Sequence, residues 1–502
     1  MELDARTAPE RTALEGDVCI IGAGPAGLAL ARSLGQAGKR VVLLESGGRA
    51  VEPEAQELNV GETPGEARQD LRLSRARAVG GSSLLWNTMY RETAWAKFIP
   101  LDSIDFEERE GIRWSGWPFG RAELEPWYQR AHALLGLGPF GYGADYGEGG
   151  KGPLEFPSES LVNGIYRFGA RGRLVSTIVP GLLESSSVTL VHGATATAVS
   201  TGPGGIVTGI EWATLSGNRG TAHASHFVLA AGGIENARFL LHAMPGNPWL
   251  GRGFMEHPVD SSLTLVTRAP ALCPEPGFYA AHEPEPGLPV LGRIGISPGL
   301  MRSEGLCNAS VRLVLDEEPP VLQSERILPM ARRLVPFPRA RRMIGGAIRR
   351  ASGWRRRHAA RYRLLIDLEQ DPHPDNRVTL ASGRDALGMP RPLLEWRWRE
   401  EEQARLLRVR RAVTRELERA GAGTIQVSDH SPLDPFVHHH VGATRMHRDP
   451  RFGVVDAGLR SHEAENLYVV GSSVFPSAGF ANPTLTSVAL ALRLGDRLAG
   501  GR

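Results

Sequence analysis

The chain has 502 residues, of which 41% are hydrophobic, 23% charged and 7% aromatic. This balance is that of an ordinary soluble protein, and the length exceeds what one small core organises, so we expect two or more domains. The 60 glycines and 36 prolines follow no collagen period, and the composition excludes fibrous and disordered classes. The formal net charge is only +3, but the positive charge is unevenly distributed.

The three cysteines, Cys19, Cys273 and Cys307, are odd in number and share no CxxC spacing. They therefore support neither a disulfide framework nor a structural zinc site, and a reducing compartment suits them. The amino terminus lacks the apolar core of a secretory signal, so we expect a cytoplasmic protein. Residues 466–492 carry no charge, but two prolines and several polar residues interrupt them, and we reject a membrane span.

The first chemical motif follows a short apolar run at residues 18–21, which predicts a buried strand. The run leads directly into Gly22-Ala23-Gly24-Pro25-Ala26-Gly27, a GxGxxG pattern. In this pattern Gly22 permits a tight turn, Gly24 lets the backbone approach a pyrophosphate, and Gly27 lets a helix lie close to the strand. A helix should follow, with Pro25 in its first turn and Gly38 near its end. Its amino-terminal amides would face the phosphates.

A second apolar run at residues 41–44 ends in Glu45, whose carboxylate could accept both hydroxyls of an adenosine ribose. The alternative is a solvated acid at a strand end. Strand, glycine turn, helix, strand and acid within about thirty residues together predict a dinucleotide site. They do not distinguish FAD from NAD, since both use this geometry.

A glycine pair, Gly80-Gly81, is followed by Ser82, Ser83 and, shortly after, Asn87. Such a loop lets backbone amides approach a flat ring or a phosphate, although by itself it could be a simple turn. A third strand-like run at 226–231 ends in Gly232-Gly233 before another helix start. We expect it to return the chain to the same nucleotide-binding sheet.

Residues 326–363 contain thirteen arginines and no acidic residue, so the rest of the chain is acidic. Interleaved apolar residues could form a basic amphipathic helix for a membrane surface or an acidic partner. The simpler interpretation is a solvated arm that covers the protein's own surface. No recognition motif accompanies the charge, and we expect no nucleic-acid partner.

The last seventy residues carry the most specific pattern. They contain His438-His439-His440-Val441-Gly442-Ala443-Thr444-Arg445-Met446, a strand at 467–470, Gly471-Ser472-Ser473-Val474-Phe475-Pro476 and Phe480-Ala481-Asn482-Pro483-Thr484-Leu485-Thr486. Together with the GxGxxG unit, the glycine pair and the stretches at 253–258 and 376–380, they resemble the glucose–methanol–choline (GMC) family of FAD-dependent oxidoreductases. The resemblance spans essentially the whole chain, is weakest from 265 to 360, and is greatest to pyranose oxidases and bacterial sugar dehydrogenases.

The resemblance implies an α/β fold in which a discontinuous Rossmann-type FAD-binding domain carries an α+β substrate domain built on an antiparallel sheet. The FAD-binding domain would comprise residues 1–95, 180–256 and 436–502. The substrate domain would comprise 96–179 and 257–435, where runs at 362–369 and 393–398 have the alternation of strands. Residues 401–417 suggest a surface helix.

The resemblance also assigns the site. In the family a histidine stands three residues before the glycine of a Gly-Thr or Gly-Ala pair, which here makes His439 the catalytic histidine, with Asn482 as the second catalytic residue. His257 matches a further family position, to which we assign structural support only. The residues expected to contact FAD are Gly22, Gly24, Pro25, Ala26, Gly27, Glu45, Gly80, Gly81, Ser82, Ser83, Asn87, Ala231, Gly232, Ser473, Pro483 and Thr484.

Elementary chemistry explains these residue types. An alcohol gives up hydride to flavin N5 only as its hydroxyl proton is removed, and neutral histidine is the side chain suited to that near neutral pH. Asn482 could orient the same oxygen, and the helix beginning near Pro483 offers positive amides to a reduced flavin. Two plainer alternatives are a metal cluster of His438, His439 and His440, which an extended segment would spread over two faces, and a helix cap at Asn482.

One position departs from the nearest relatives. Fungal pyranose oxidases bind their flavin covalently through a histidine, and the matching residue here is Leu85, so we expect non-covalent FAD. The predicted reaction is the oxidation of a secondary CH–OH group of a sugar, glycoside or polyol. The sequence leaves open a non-redox flavin lyase of the same fold and a membrane-surface dehydrogenase that uses quinone or a protein carrier. It does not identify the electron acceptor or the oligomeric state.

Overall fold

The protein is described by a computed structural model covering residues 1–67, 69–146, 152–157, 159–273, 276–316, 359–428, 433–434 and 437–500. Most of the arginine-rich segment predicted at 326–363 lies outside these described residues. The strands are β1 (Glu2–Asp4), β2 (Thr12–Glu15), β3 (Val18–Ile21), β4 (Val41–Glu45), β5 (Thr88–Tyr90), β6 (Thr93–Phe98), β7 (Leu161–Ala170), β8 (Val188–His192), β9 (Thr195–Thr201), β10 (Val207–Ala213), β11 (Arg219–His223), β12 (His226–Leu229), β13 (Val259–Thr267), β14 (Ala281–Glu285), β15 (Leu288–Ile296), β16 (Ala309–Leu315), β17 (Ala360–Leu368), β18 (Arg377–Arg384), β19 (Pro390–Glu395), β20 (Thr424–Val427) and β21 (Leu467–Val469). The helices are α1 (Pro25–Gln36), α2 (Pro53–Glu57), α3 (Leu71–Ser74), α4 (Arg121–Leu135), α5 (Arg173–Glu184), α6 (Glu235–Ala243), α7 (Pro298–Glu304), α8 (Glu400–Arg419) and α9 (Thr484–Ala499).

A parallel sheet of six strands forms the nucleotide-binding layer, in the order β1-β8-β4-β3-β12-β21. Its inner strands are continuous apolar runs because both faces of a parallel sheet are covered. Helix α1 packs against α9, and their approach is close enough that a Cβ added at Gly495 would lie 2.7 Å from the Ser33 hydroxyl. The predicted return of the run at 226–231 to this sheet is confirmed, and the strand predicted at 467–470 lies beside it as β21.

A larger antiparallel sheet forms the second layer, in the order β20-β13-β17-β16-β15-β7-β6-β5, with β14 paired to β15. Strand β13 largely alternates buried and partly exposed residues, whereas β7 and β15 are buried over most of their length, and a separate apolar core lies between the sheet and helix α8. The run predicted at 362–369 is strand β17, and the run at 393–398 overlaps β19, which pairs with β18 in a separate hairpin. The mixed fold with an antiparallel substrate sheet is therefore confirmed.

The structure bears on the domain limits in two places. The boundary placed between residues 95 and 96 falls inside β6, which pairs with β7 in the large sheet. Helix α4, assigned to the substrate domain, packs on α9: the Tyr128 hydroxyl is 2.8 Å from the Thr486 hydroxyl and Trp127 Nε1 donates to Asp496. Burial of these aromatic side chains joins this segment to the core of the parallel sheet.

Two further expectations concern helices. Residues 401–417 lie within α8, whose exposed face is charged and whose other face buries Leu406, Val409 and Leu417. The uncharged stretch at 466–492 is divided among β21, a short 3-10 helix at Ser472–Val474 and the first half of α9. Within the described residues no helix combines the length and the apolar character that crossing a bilayer requires.

Candidate active site

The GxGxxG turn connects β3 to α1, and each of its glycines meets a different steric demand. Gly22 has φ +105°, and a Cβ added there would lie 2.7 Å from the Ala230 carbonyl oxygen. At Gly27 an added Cβ would lie 1.9 Å from the Gly22 carbonyl oxygen, so only glycine lets the helix approach the strand. At Gly24 an added Cβ would meet nothing within 4 Å, because this position faces open space. The open position is where a pyrophosphate can approach the backbone.

Glu45 ends β4 beside this turn. Its carboxylate accepts hydrogen bonds from the amides of Ala23 and Gly47, both at 2.9 Å. Burial raises the pKa of Glu45 to about 7, in spite of these two bonds. The side chain is 6% exposed and lines a cavity, so the alternative of a solvated acid at a strand end is wrong.

A cavity of about 600 Å³ runs from the glycine turn to the histidine stretch. This volume is within the range of ligand sites. Every predicted site residue except three lines it: Gly22, Gly24, Pro25, Ala26, Glu45, Gly81, Ser82, Ser83, Asn87, Ala231, Gly232, His439, Asn482, Pro483 and Thr484. Leu85 also lines the wall.

Gly27, Gly80 and Ser473 lie behind the cavity surface. Gly27 lies against the backbone of Gly22, as described above, and so it does not face the cavity. Gly80 has φ +108°, and a Cβ there would lie 2.4 Å from Val175, so it serves the turn and its packing. Ser473 is fully buried, and its hydroxyl accepts from Asn236 Nδ2 at 2.9 Å. The hydroxyl that reaches the wall in this loop is that of Ser472, which donates to the His440 carbonyl.

The histidine and the asparagine predicted to act together are in contact. Asn482 Nδ2 lies 2.9 Å from His439 Nε2, although the two residues are 43 positions apart. His439 is held from the other side, where its backbone amide donates to Glu256 Oε2 at 2.9 Å and its Nδ1 lies 3.0 Å from His257 Nδ1. The two imidazole nitrogens of His439 therefore both have partners.

The helix that follows Asn482 does not use it as a cap. Helix α9 begins at Thr484 with Pro483 in the cap position, and no side chain caps its amides. The alternative that Asn482 acts as a helix cap is therefore wrong. Pro483, Thr484 and Ser487 line the cavity, so the positive end of the helix dipole faces it.

The surroundings keep His439 neutral. Its pKa lies well below the ordinary value, first because the side chain is desolvated and then because His257 and Lys97 oppose a further positive charge. Burial also lowers the pKa of His257 to about 4. A neutral imidazole near neutral pH is the form that accepts a proton.

The three consecutive histidines do not form an extended segment. His438 has φ +63°, which turns the backbone between the neighbouring side chains. His438 is exposed, whereas His440 is buried with its Nε2 3.4 Å from Glu256 Oε1. In the part of the chain that the structure describes, no group of three or more His, Cys, Asp or Glu side chains could hold a metal ion.

The cavity also contains residues for which the sequence offered no motif. The most informative are Lys97, Arg312 and Asp367, which come from three strands of the large sheet. Arg75, Arg77 and Glu235 form a second charged group in the wall, with Arg77 Nη2 2.9 Å and Arg75 Nη1 3.0 Å from the Glu235 carboxylate. Strand pairing, which joins residues far apart in sequence, places the first group, and no local spacing could have indicated it.

The described residues fit an adenine dinucleotide. An open cradle at Gly24, a buried carboxylate at Glu45 and two helix amino termini, those of α1 and α9, line one cavity. Gly81 lets the glycine-pair loop cross this turn, since a Cβ there would lie 2.9 Å from the Gly24 Cα. FAD would be held by these groups, with its phosphates toward the glycine turn.

Comparison with known proteins agrees with this geometry. Residues 372–491 match the family profile described as GMC oxidoreductase, and residues 15–61 match the one described as FAD binding domain. Paromamine 6'-oxidase from Streptomyces fradiae is 25% identical over 96% of this chain and 91% of its own length. C-glycoside 3-oxidase from Arthrobacter globiformis is 31% identical over 116 residues, which are 23% of this chain and 22% of that protein. The crystal structure of pyridoxine 4-oxidase from Mesorbium loti shares the fold, with a TM-score of 0.57 and 17% identity over 96% of this chain and 98% of that one.

Proposed function

We propose that this chain is an FAD-dependent alcohol oxidoreductase of the GMC type and that its substrate is the secondary CH–OH group of a sugar, glycoside or other polyol. The names of two relatives, a C-glycoside 3-oxidase and a paromamine 6'-oxidase, support a sugar or glycoside as the substrate. The observation that carries the site is the contact between His439 and Asn482 in the wall of the cavity.

Each residue has one task in this proposal. The alcohol oxygen replaces the direct hydrogen bond between Asn482 Nδ2 and His439 Nε2. Nε2 of neutral His439 then accepts the hydroxyl proton, and Asn482 Nδ2 donates to the alcohol oxygen and fixes its orientation. Bound FAD supplies the acceptor for the hydride that leaves the carbinol carbon, so the alcohol loses one proton and one hydride and becomes a carbonyl compound. Glu45 and the glycine turn line the cavity and would hold the adenosine and pyrophosphate parts of the cofactor.

The test is anaerobic mixing of the FAD-loaded enzyme with a panel of sugars, glycosides and polyols while the flavin absorbance is recorded. We expect bleaching with at least one of them. Turnover without bleaching would instead indicate a lyase, and a panel that gives neither would contradict the sugar and polyol class.

Variants of the histidine stretch test the assignment of the base. We expect His439→Ala to fold, to retain FAD and to lose about 10²- to 10⁴-fold in the rate of flavin reduction, because a positioned base contributes about that much. His438→Ala is the matched control, since His438 is the exposed neighbour. A His439→Ala enzyme that reduces its flavin at the wild-type rate, with His438→Ala or His440→Ala inactive, would move the base to another residue.

We also propose a cytoplasmic location. All three cysteines are free thiols, and two of them are buried, which suits a reducing compartment. Cell fractionation with an antibody against the protein would test this, and recovery in a secreted fraction would contradict it.

A further inference from the structure

A cluster of charged side chains lies in the part of the cavity next to His439. Lys97 lies in β6, Arg312 in β16 and Asp367 in β17, and all three line the cavity. Three strands separate β6 from β17 in the sheet, so a flat sheet would set the two strands about 19 Å apart. Lys97 Nζ is nevertheless 3.5 Å from Asp367 Oδ2. The sheet therefore curls around the cavity, and its concave face carries the cluster.

Within the cluster Asp367 forms a bidentate ion pair with Arg312. The Arg312 guanidinium donates to both carboxylate oxygens at 2.7 Å, and the Tyr166 hydroxyl donates to Oδ2 at 3.2 Å. Burial would raise the pKa of Asp367, but Arg312 and Lys97 hold it well below its ordinary value. The single carboxylate of Asp367 thus interacts with two cations, Arg312 and Lys97, and the cluster has a net positive charge.

Lys97 carries the charge that is not neutralised. An ammonium has three N–H donors, and among the described residues its one hydrogen-bond acceptor is Asp367, at the long distance of 3.5 Å. Its Nζ also lies 4.7 Å from the centroid of the Tyr166 ring. The side chain is 11% exposed, and burial together with Arg312 lowers the pKa of Lys97 to about 8, so the ammonium form still predominates at neutral pH. Burying a cation whose hydrogen bonds are not all made raises the free energy of the folded protein, and an anionic ligand would lower it.

The neighbouring wall adds a second donor. Trp95 lies two residues before Lys97 in β6 and lines the same cavity. Its indole Nε1 is buried and has no hydrogen-bond partner among the described residues. Indole donates but does not accept hydrogen bonds, and both oxygens of Asp367 are engaged. The lining of this region thus contains unpaired N–H donors and no free carboxylate oxygen, which suits a ligand that is rich in acceptors.

We propose that Lys97 determines specificity by binding a carboxylate of the substrate, so that the preferred alcohol is a sugar acid or another polyhydroxy acid. This inference rests on the proposed function and names the class of alcohol within it. A carboxylate has a single negative charge, which matches the one excess positive charge of the cluster, whereas a phosphate monoester carries nearly two negative charges. The same excess of positive charge disfavours amino sugars.

The test uses four probes that share one ring: D-glucose, D-glucuronate, D-glucosamine and D-glucose 6-phosphate. Binding to the FAD-loaded enzyme is measured by calorimetry, and flavin reduction by anaerobic mixing. We expect glucuronate to bind about tenfold or more tightly than glucose, and glucosamine to bind most weakly, because a charge-assisted hydrogen bond has about that effect. Acetate, which has no CH–OH group, should compete with glucuronate.

Three variants separate recognition from folding. Lys97→Met should lose the preference for glucuronate over glucose and the competition by acetate, and Lys97→Arg should retain most of both. Lys39→Met is the control, since Lys39 follows α1 outside the cavity and should leave the preference unchanged. Equal binding of glucuronate and glucose by the wild-type enzyme would overturn the inference, as would a Lys97→Met enzyme that still prefers glucuronate. The calorimetric preference decides it without turnover, so a failure of every sugar to bleach the flavin would contradict the proposed function alone.

Discussion

His257 Nδ1 lies 3.0 Å from Nδ1 of His439, so one imidazole supports the ring that we propose as the base. The two contacts of His439 suit a single neutral tautomer. If Asn482 donates to Nε2, the remaining ring proton is on Nδ1 and His257 accepts it. Because its low pKa keeps His257 neutral above about pH 4, it acts as a hydrogen-bond acceptor and not as a second cation. The structural role that we expected for His257 from the sequence is thus to hold the ring of His439.

Replacing His257 tests this support. In His257→Phe the Nδ1–H of His439 loses its acceptor, and the imidazolium formed on proton uptake loses a charge-assisted hydrogen bond of about 1.5–3 kcal/mol. We expect the limiting rate of flavin reduction to fall about 10- to 100-fold, with the apparent substrate affinity unchanged. His257→Asn places an acceptor near the former Nδ1 and should restore most of the rate. Equal losses in both variants would point to packing and not to the hydrogen bond.

Gly24 allows a test of cofactor binding that leaves the protein's own packing intact. Its φ is −75°, and a Cβ would meet no protein atom within 4 Å, so Gly24→Ala should not lower the melting temperature of the FAD-free protein. The methyl group would project into the space expected for the pyrophosphate, and we expect FAD affinity to fall about tenfold or more. Gly120→Ala is the matched control, since that glycine also faces open space but lies outside the cavity. FAD titration by fluorescence measures both, and an unchanged affinity in Gly24→Ala would place the phosphates elsewhere.

Leu85 predicts how FAD is attached. Leu85 lines the cavity, and the family resemblance matches it to a histidine that binds the flavin covalently in fungal pyranose oxidases, a bond that leucine cannot form. After acid precipitation we therefore expect the yellow chromophore in the supernatant. A pellet that stays coloured after washing would show a covalent link through some other residue.

Glu256 predicts a pH dependence of stability. The side chain is fully buried, its Oε2 accepts the backbone N–H of His439, and burial raises its pKa from 4.5 to about 8. Between these values the folded protein binds more protons than the unfolded chain, so the free energy of unfolding falls as pH rises, by at most about 1.4 kcal/mol per pH unit. Glu256→Gln removes this contribution.

Urea unfolding of wild type and Glu256→Gln at pH 5.5 and pH 8 measures the effect. We expect the variant to gain up to about 3 kcal/mol on the wild type between the two pH values. The exposed Glu10 provides the control Glu10→Gln, which should show no such gain. A constant difference at both pH values would show that Glu256 is already ionised in the folded protein.

Local sequence was sufficient for the parts of the site that local geometry determines. The turn around Gly22 and Gly27 leaves no room for a side chain, and the run that ends in Glu45 has to be a buried strand, so these were readable directly. The pairing of His439 with Asn482 came from the family resemblance, since nothing in the sequence between these residues, which are 43 positions apart, specifies that the two side chains meet.

The structure departs from the simplest interpretation of the sequence where backbone turns or long-range pairing decide the geometry. The positive φ of His438 breaks the extended segment that we assumed for the three histidines, and Ser473 turns inward to Asn236 while its neighbour Ser472 reaches the wall. Lys97 lies in a strand that crosses the expected domain boundary, and its charged neighbours Arg312 and Asp367 are more than two hundred residues away in sequence. Only the curvature of the sheet brings them together.

Because of that curvature, substitutions in the two sheets are expected to affect different parts of the site. The groups proposed to hold the cofactor and remove the proton are anchored mainly around the parallel sheet, whereas the charges that face the ligand project from the curled antiparallel one. Substitutions on the concave strands could then change which alcohol binds without altering the groups around the cofactor. Proteins with this fold could in that way differ in substrate while keeping the same oxidation chemistry.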